Sequence, residues 1–305
     1  MIWNDFKAPI ETLQLSILKE KKIELSILRE DLNHPLISGN KYRKLKYNLI
    51  EANKLGYKKL ITFGGAFSNH IAATAAAAKI YNFNVIGIIR GEEIENLVNK
   101  NPTLKFAKEQ GMDFKFISRE LYRNKDSEDF LKQLKIDYPD YYIIPEGGTN
   151  QLAIKGCEEI LYKACENFDI ITTSIGTAGT ISGIIKSSHN QQHIIGFPAL
   201  KGDFFSEEIR NLTDKTNFSI INNYHFGGYG KVKDELINFV NSFKKETNIP
   251  LDPIYTGKML FGILDLIKKD YFKPNTKILA IHSGGLQGIE GINNILKTKN
   301  KTIIQ

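Results

Sequence analysis

Three short apolar runs in this chain, Ile61-Thr62-Phe63, Ile143-Ile144 and Ala280-Ile281, each lead within a few residues into a Gly-Gly pair, at 64–65, 147–148 and 284–285. Glycine lets the backbone take positive φ and approach a ligand closely. In open α/β sheets, ligands bind beyond the carboxyl ends of the strands. A repeated strand-then-glycine pattern therefore restricts the chain to folds in which several strand ends meet at one place. A fourth pair, at 227–228, follows no predicted strand. Strands are expected at 59–63, 85–89, 113–117, 142–144, 170–175, 194–197 and 278–281. Helices are expected at 71–81, 102–110, 130–134, 153–165 and 181–187, and beginning near 206 and 232. This alternation predicts an α/β protein with mostly parallel strands.

With 305 residues the chain is long enough for two domains or one large α/β domain. The break between two alternating blocks falls near 145–151. No apolar run reaches the length of a membrane span, and Met1-Ile2-Trp3-Asn4-Asp5 lacks the basic and apolar regions of a signal peptide, so the cytoplasm is the expected location. The net charge of +7 is scattered, with no arm, stripe or aromatic-basic motif, which argues against a nucleic-acid partner. Cys157 and Cys165 match no zinc or redox spacing and are expected to be buried thiols on a helix. His189 and His193 lie in a polar stretch without H-E-x-x-H, and His34, His70, His225 and His282 are spread out, so no metal site is expected.

Lys41 has an unusual address. Ser38-Gly39-Asn40-Lys41-Tyr42-Arg43-Lys44-Leu45 opens a helix whose apolar positions recur at Leu45, Leu49 and Ala52. With Ser38 or Asn40 as cap, Lys41 falls in the first turn. The positive end of the helix dipole disfavours an ammonium there, and a neutral amine is a nucleophile. The ordinary alternative is a solvated lysine on a basic face with Arg43, Lys44 and Lys46. Further along, Ser174-Ile175-Gly176-Thr177-Ala178-Gly179-Thr180-Ile181 takes a strand into a loop of glycines and threonines and then a helix. Such a loop suits a phosphate, or is simply a βα turn. It lacks both the P-loop lysine and the G-x-G-x-x-G spacing. Ser68-Asn69-His70 precedes an alanine-rich helix and serves either as its cap or as a carboxylate site. Tyr229 and Tyr255 stand in glycine-flanked contexts suited to stacking or proton transfer. No G-x-S-x-G nucleophile elbow occurs.

In this order, the segments Leu28-Arg29-Glu30-Asp31, Gly39 to Leu45, Phe67-Ser68-Asn69-His70 and Pro145 to Asn150 are similar to one family of pyridoxal-phosphate enzymes, as are Gly176 to Thr180, Tyr255 to Met259 and Ile281 to Gly288. The chain resembles the 1-aminocyclopropane-1-carboxylate deaminase/D-cysteine desulfhydrase family over nearly its whole length. That family has the tryptophan synthase β-like fold (fold type II). The resemblance implies two α/β domains, each an open, mostly parallel sheet flanked by helices. These would be a smaller one at 44–150 and a larger, phosphate-binding one at 1–43 with 151–305. It also implies a homodimer. Lys41 would be the Schiff-base lysine, and Thr177, Ala178, Gly179 and Thr180 the phosphate cradle. Asn69 would bind the ring hydroxyl, while Ser68, Asn69 and His70 would receive the substrate carboxylate, with Ser68 also a catalytic group for proton or nucleophilic work. Tyr229 and Tyr255 would be the active-site tyrosines. Ser283 would face the pyridine nitrogen, where a neutral hydroxyl favours elimination over transamination.

The deaminases of the family carry glutamate directly after the tyrosine that corresponds to Tyr255. Here Thr256 stands in that place, as in the desulfhydrase branch, and by the resemblance would be a cofactor contact. The expected reaction is thus β-elimination on a small amino acid such as D-cysteine, yielding pyruvate, ammonia and hydrogen sulfide. The alternatives are deamination of 1-aminocyclopropane-1-carboxylate to 2-oxobutanoate, and an amino-acid- or cofactor-binding protein with little turnover.

Overall fold

In the sheet interiors, strand formation follows burial on both faces. The computed structural model describes Trp3 and residues 5–305, so the reading of Met1, Ile2 and Asn4 lies outside the described residues. The chain begins with β1 (Ile10–Thr12), α1 (Ser16–Lys21), β2 (Glu24–Leu28) and α2 (Asn40–Lys54). A central block follows, with β3 (Lys59–Gly64), α3 (Asn69–Ile80), β4 (Asn84–Arg90), α4 (Pro102–Glu109) and β5 (Met112–Ile117). It closes with α5 (Arg119–Arg123), α6 (Glu128–Asp137) and β6 (Tyr141–Ile144). Next come α7 (Gln151–Glu158), β7 (Ile170–Ile175), α8 (Gly179–Ser187), β8 (His193–Pro198), α9 (Phe205–Arg210) and β9 (Phe218–Ile220). The chain ends with α10 (Asp234–Thr247), α11 (Thr256–Lys268), β10 (Lys277–Ile281) and α12 (Gly288–Thr298).

These strands form two sheets. The central block makes a four-stranded parallel sheet in the order β5-β4-β3-β6, and the flanking segments make a six-stranded sheet in the order β1-β2-β10-β7-β8-β9. Among the described residues only β1 runs antiparallel, against β2. In β10, Ile278 and Ala280 join the core beneath α10 and α11, whereas Leu279 and Ile281 join the core beneath α7 and α8. Burying each such isoleucine contributes roughly 2 kcal/mol. The alanine-rich α3 is buried nearly all round, because small side chains let it lie close against β3 and β4.

Two readings of the sequence need correction. The helix expected at 153–165 ends at Glu158, and Cys165 lies in a separate 3₁₀ turn. Between them the chain turns to bury Ile160 in the same core as both cysteines, so a tertiary contact overrides local periodicity. The strands β1, β2 and β9 were not foreseen. They are three to five residues long, and β2 becomes a strand by parallel pairing with β10, some 250 residues away.

Candidate active site

The first turn of α2 is held from several sides. Asn33 brackets Gly39, accepting from its N–H at 3.0 Å and donating to its carbonyl at 2.9 Å. Gly39 takes φ +70°, the Asn40 N–H donates to Ser283 O, and a Cβ on Gly39 would run into that same carbonyl. Neither expected cap serves. The Ser38 hydroxyl donates to Asp31 O, and the Asn40 amide donates to Thr180 Oγ1 at 2.8 Å. Lys41 does lie in the first turn, its Nζ donating to Asn40 Oδ1 at 3.1 Å. Burial, and then the charge of Lys44, bring its pKa down to about 7.

Lys44, one turn further along α2, is not on a solvated face. It is 1% exposed, and its ammonium donates to Gly147 O, Thr149 Oγ1 and Thr177 Oγ1 at 2.9–3.1 Å. All three donors of the ammonium are thereby used, and burial lowers its pKa to about 8. The 176–180 loop thus rests on a buried cation, with α8 beginning at Gly179. A Cβ on Gly179 would press on Thr149 and the Lys44 ammonium, so glycine is needed for this close approach. Arg43, between the two lysines, faces the other way into a buried pair with Glu30, at 2.7 and 2.9 Å.

Facing this wall is the start of α3. Ser68 caps the helix by accepting from the Ile71 N–H. The Asn69 side chain reaches the turn at Gly285 and Gly288. His70 is buried and meets Thr62 Oγ1 through Nε2 at 2.7 Å. Thr62 gives its only proton to Ile144 O, so His70 Nε2 carries a hydrogen and Nδ1 is a bare acceptor. That Nδ1 is buried without a partner. Burial and the charges of Lys41 and Lys44 keep the ring neutral, well below the usual imidazole range.

Together these residues line a cavity of about 500 Å³. Lys41, Ser68, Asn69, His70, Thr177, Thr180, Tyr229, Tyr255 and Ser283 all face it, as do Gly65, Gly147, Gly284 and Gly285 from the three strand-end glycine pairs. Ala178 and Gly179 belong to the loop that forms one wall. Tyr229 and Tyr255 stand edge to face with ring centres 6.2 Å apart and share a hydrogen bond. Burial, with Tyr229 adding to it, holds the Tyr255 phenol protonated, well above its ordinary range. Thr256 stands behind this wall. Its hydroxyl donates to Asp252 Oδ1 at 2.6 Å, and Asp252 also accepts from the N–H groups of Ile254, Tyr255 and Thr256.

The sequence reading passed over several lining residues. Ser174 Oγ lies 3.3 Å from Ser283 Oγ, making a hydroxyl pair. Arg90, at the end of β4, lies over the ring of Tyr122. Glu146 accepts from the Tyr122 hydroxyl at 2.7 Å and pairs with Lys125 at 3.1 Å. Lys44 is one helical turn from Lys41, and Glu146 lies in the 145–150 segment, whereas Arg90 carries no local signal.

Residues 6–284 match the family model described as "Pyridoxal-phosphate dependent enzyme". A Pyrococcus abyssi protein provisionally named a 1-aminocyclopropane-1-carboxylate deaminase is 31% identical, over 93% of this chain and 91% of its own length. The Arabidopsis thaliana protein named as a mitochondrial bifunctional D-cysteine desulfhydrase/1-aminocyclopropane-1-carboxylate deaminase is also 31% identical, over 87% of this chain and 73% of its own. Among solved structures, one described as an ACC deaminase homologue superposes with a TM-score of 0.80 at 28% identity, covering 96% of this chain and 94% of that one.

Proposed function

The chain belongs to the pyridoxal-phosphate-dependent enzymes, and from that membership we propose a lyase that acts on a small amino acid by D-cysteine desulfhydrase-type β-elimination. The observation that carries this reading is the placing of a low-pKa lysine, Lys41, in one cavity with an anion-suited loop and a protonated tyrosine pair. The residues fit the cofactor. The N–H groups of the 176–180 loop and the first turn of α8 offer donors for a phosphate, with the Lys44 cation beneath them. The Ser174–Ser283 hydroxyl pair is neutral, as suits a pyridine nitrogen not held protonated by a carboxylate. When bound, pyridoxal phosphate supplies the electron sink for cleavage at Cα and Cβ.

The protein's own groups divide the remaining work. Lys41, about half neutral at pH 7, holds the cofactor and then takes the Cα proton of the substrate. The N–H groups at the start of α3, which have no intrahelical acceptors, receive the substrate carboxylate beside Ser68. Arg90 adds positive charge to the same side of the cavity. Tyr255, kept as a phenol and bonded to Tyr229, is a proton donor suited to the departing sulfur. The overall reaction consumes D-cysteine and water and yields pyruvate, ammonia and hydrogen sulfide. Thr256 supports elimination over cyclopropane opening, since its neutral hydroxyl is taken up by Asp252 and adds no carboxylate to the cavity. We further take residues 44–150 as the smaller unit, the working form as a cytoplasmic homodimer, and the partner as a small amino acid rather than nucleic acid.

Keto-acid release on a substrate panel tests this reading. Pyruvate from D-cysteine, with a visible absorbance that borohydride abolishes and Lys41→Ala lacks, is the expected result. Release of 2-oxobutanoate from 1-aminocyclopropane-1-carboxylate at the greater rate would make the deaminase reading the correct one. No keto acid from any small amino acid would replace both with a binding role.

A further inference from the structure

Lys258, in α11, is 2% exposed, and among the described residues no carboxylate forms an ion pair with it. Its ammonium instead meets three backbone carbonyls, His225 O and Gly228 O at 2.9 Å each and Ala199 O at 3.5 Å. Burial lowers its pKa to about 8, with the charge of Asp252 acting the other way. Removing an ammonium from water is costly, and an apolar side chain of similar volume commonly serves folding as well or better. The lysine therefore calls for an explanation other than stability.

The carbonyls it binds belong to an unusual loop. Phe226, Gly227, Gly228 and Gly230 have φ of +55°, +100°, +111° and +67°, and within this left-handed run only single turn bonds, Gly228 N–H to His225 O at 3.0 Å and Lys231 N–H to Gly228 O at 3.2 Å, meet the two carbonyls that Lys258 also binds. The remaining residue of that run is Tyr229, 43% exposed and so not held by packing alone. On α11, Lys258, Phe261 and Asp265 share one face. Lys258 binds the loop carbonyls, Phe261 packs edge-on against Phe226 at 5.0 Å, and Asp265 accepts from the Tyr224 hydroxyl at 2.7 Å. Tyr255 directly precedes that helix. One helix thus bears one tyrosine of the pair and grips the loop that bears the other.

We propose that Lys258 is a positioning residue: by binding the carbonyls of His225 and Gly228 it holds Tyr229 in register with Tyr255 over the cavity. The inference rests on the function proposed above for that tyrosine pair. Hydrogen exchange of the holoenzyme and keto-acid kinetics test it together, in wild type, Lys258→Met, Tyr229→Phe and the double variant. In Lys258→Met the cofactor absorbance should persist, exchange over 225–231 should rise about tenfold or more, and 174–181 should keep its protection. Its kcat should fall about tenfold, while the same substitution on the Tyr229→Phe background should cost less than about twofold. Equal losses on both backgrounds, or exchange rising throughout the protein, would overturn the positioning role. Should Lys258→Met fail to accumulate, Lys258→Leu, which likewise carries no donor, takes its place on both backgrounds, and unchanged exchange over 225–231 in that variant also overturns it. Selective loosening of 225–231 alongside a wild type that releases no keto acid supports the clamp and removes the proposed reaction instead.

Discussion

At the residue scale, the most telling pair is Lys41 and Lys44. A lysine at a helix start was legible in the sequence; what lowers its pKa was not. The expected cause was the helix dipole, whereas burial and the neighbouring Lys44 charge bring it to about 7. Lys44 itself read as solvated because its coverings, residues 147–149 and 177, lie more than 100 positions away. The direction of the shift has a measurable consequence. A lowered pKa means the reactive neutral amine becomes dominant just above pH 7, not near the 10.5 of a surface lysine. Capture of pyridoxal phosphate by the apoprotein, followed by visible absorbance, should accelerate with pH and level off above about 7. In Lys44→Met the repelling charge is gone, so the plateau should move to higher pH, and cofactor affinity should fall about tenfold with the lost charge-assisted support. A plateau unmoved by that substitution would show that Lys44 does not act on Lys41.

At the element scale, helix starts and strand ends do the positioning. The turn before α2 and the turn after β10 meet backbone to backbone, Gly39 against Ser283 and Gly284, which leaves no room for a side chain. Gly39→Ala should therefore lower stability by about 2 kcal/mol or more, from its positive-φ conformation together with the clash. Chemical denaturation of the apoprotein checks this, and a loss below about 0.5 kcal/mol, the scale of an ordinary surface change, would contradict it. Apolar runs identified seven strands, of which β3, β4, β7, β8 and β10 are interior, because burial on both faces leaves a continuous pattern, while β5 and β6 are edges. The short edges β1 and β9 were invisible because their partners, not their residues, make them strands, and the apolar run of β2 lies between β1 and β10, both remote from its local pattern.

At the scale of the whole molecule, the site joins the ends of both sheets, with β3 and β6 contributing one side and β7 and β10 the other. A cofactor bound in this cavity would be held from both sides and would tie the two sheets together. Bound ligand stabilises the native state by about 2.7 kcal/mol when free ligand is 100-fold above its dissociation constant. Calorimetry should accordingly show a higher Tm for the holoprotein than for the apoprotein, with most of the gain missing in Lys41→Ala; equal Tm values would mean that the cofactor does not bridge the halves. Among the described residues no helix is long and apolar enough to cross a membrane. Residue pattern alone determined the α/β class, the parallel strands, the glycine turns at three strand ends and the family, since these depend on neighbours within a few positions or on ordered motifs. Only the tertiary structure decided that Lys44 is buried, that Thr256 stands behind the cavity wall, and that Lys258 grips the loop of Tyr229. Burial, proton affinity and hydrogen-bond partners depend on groups that the chain brings together only by folding.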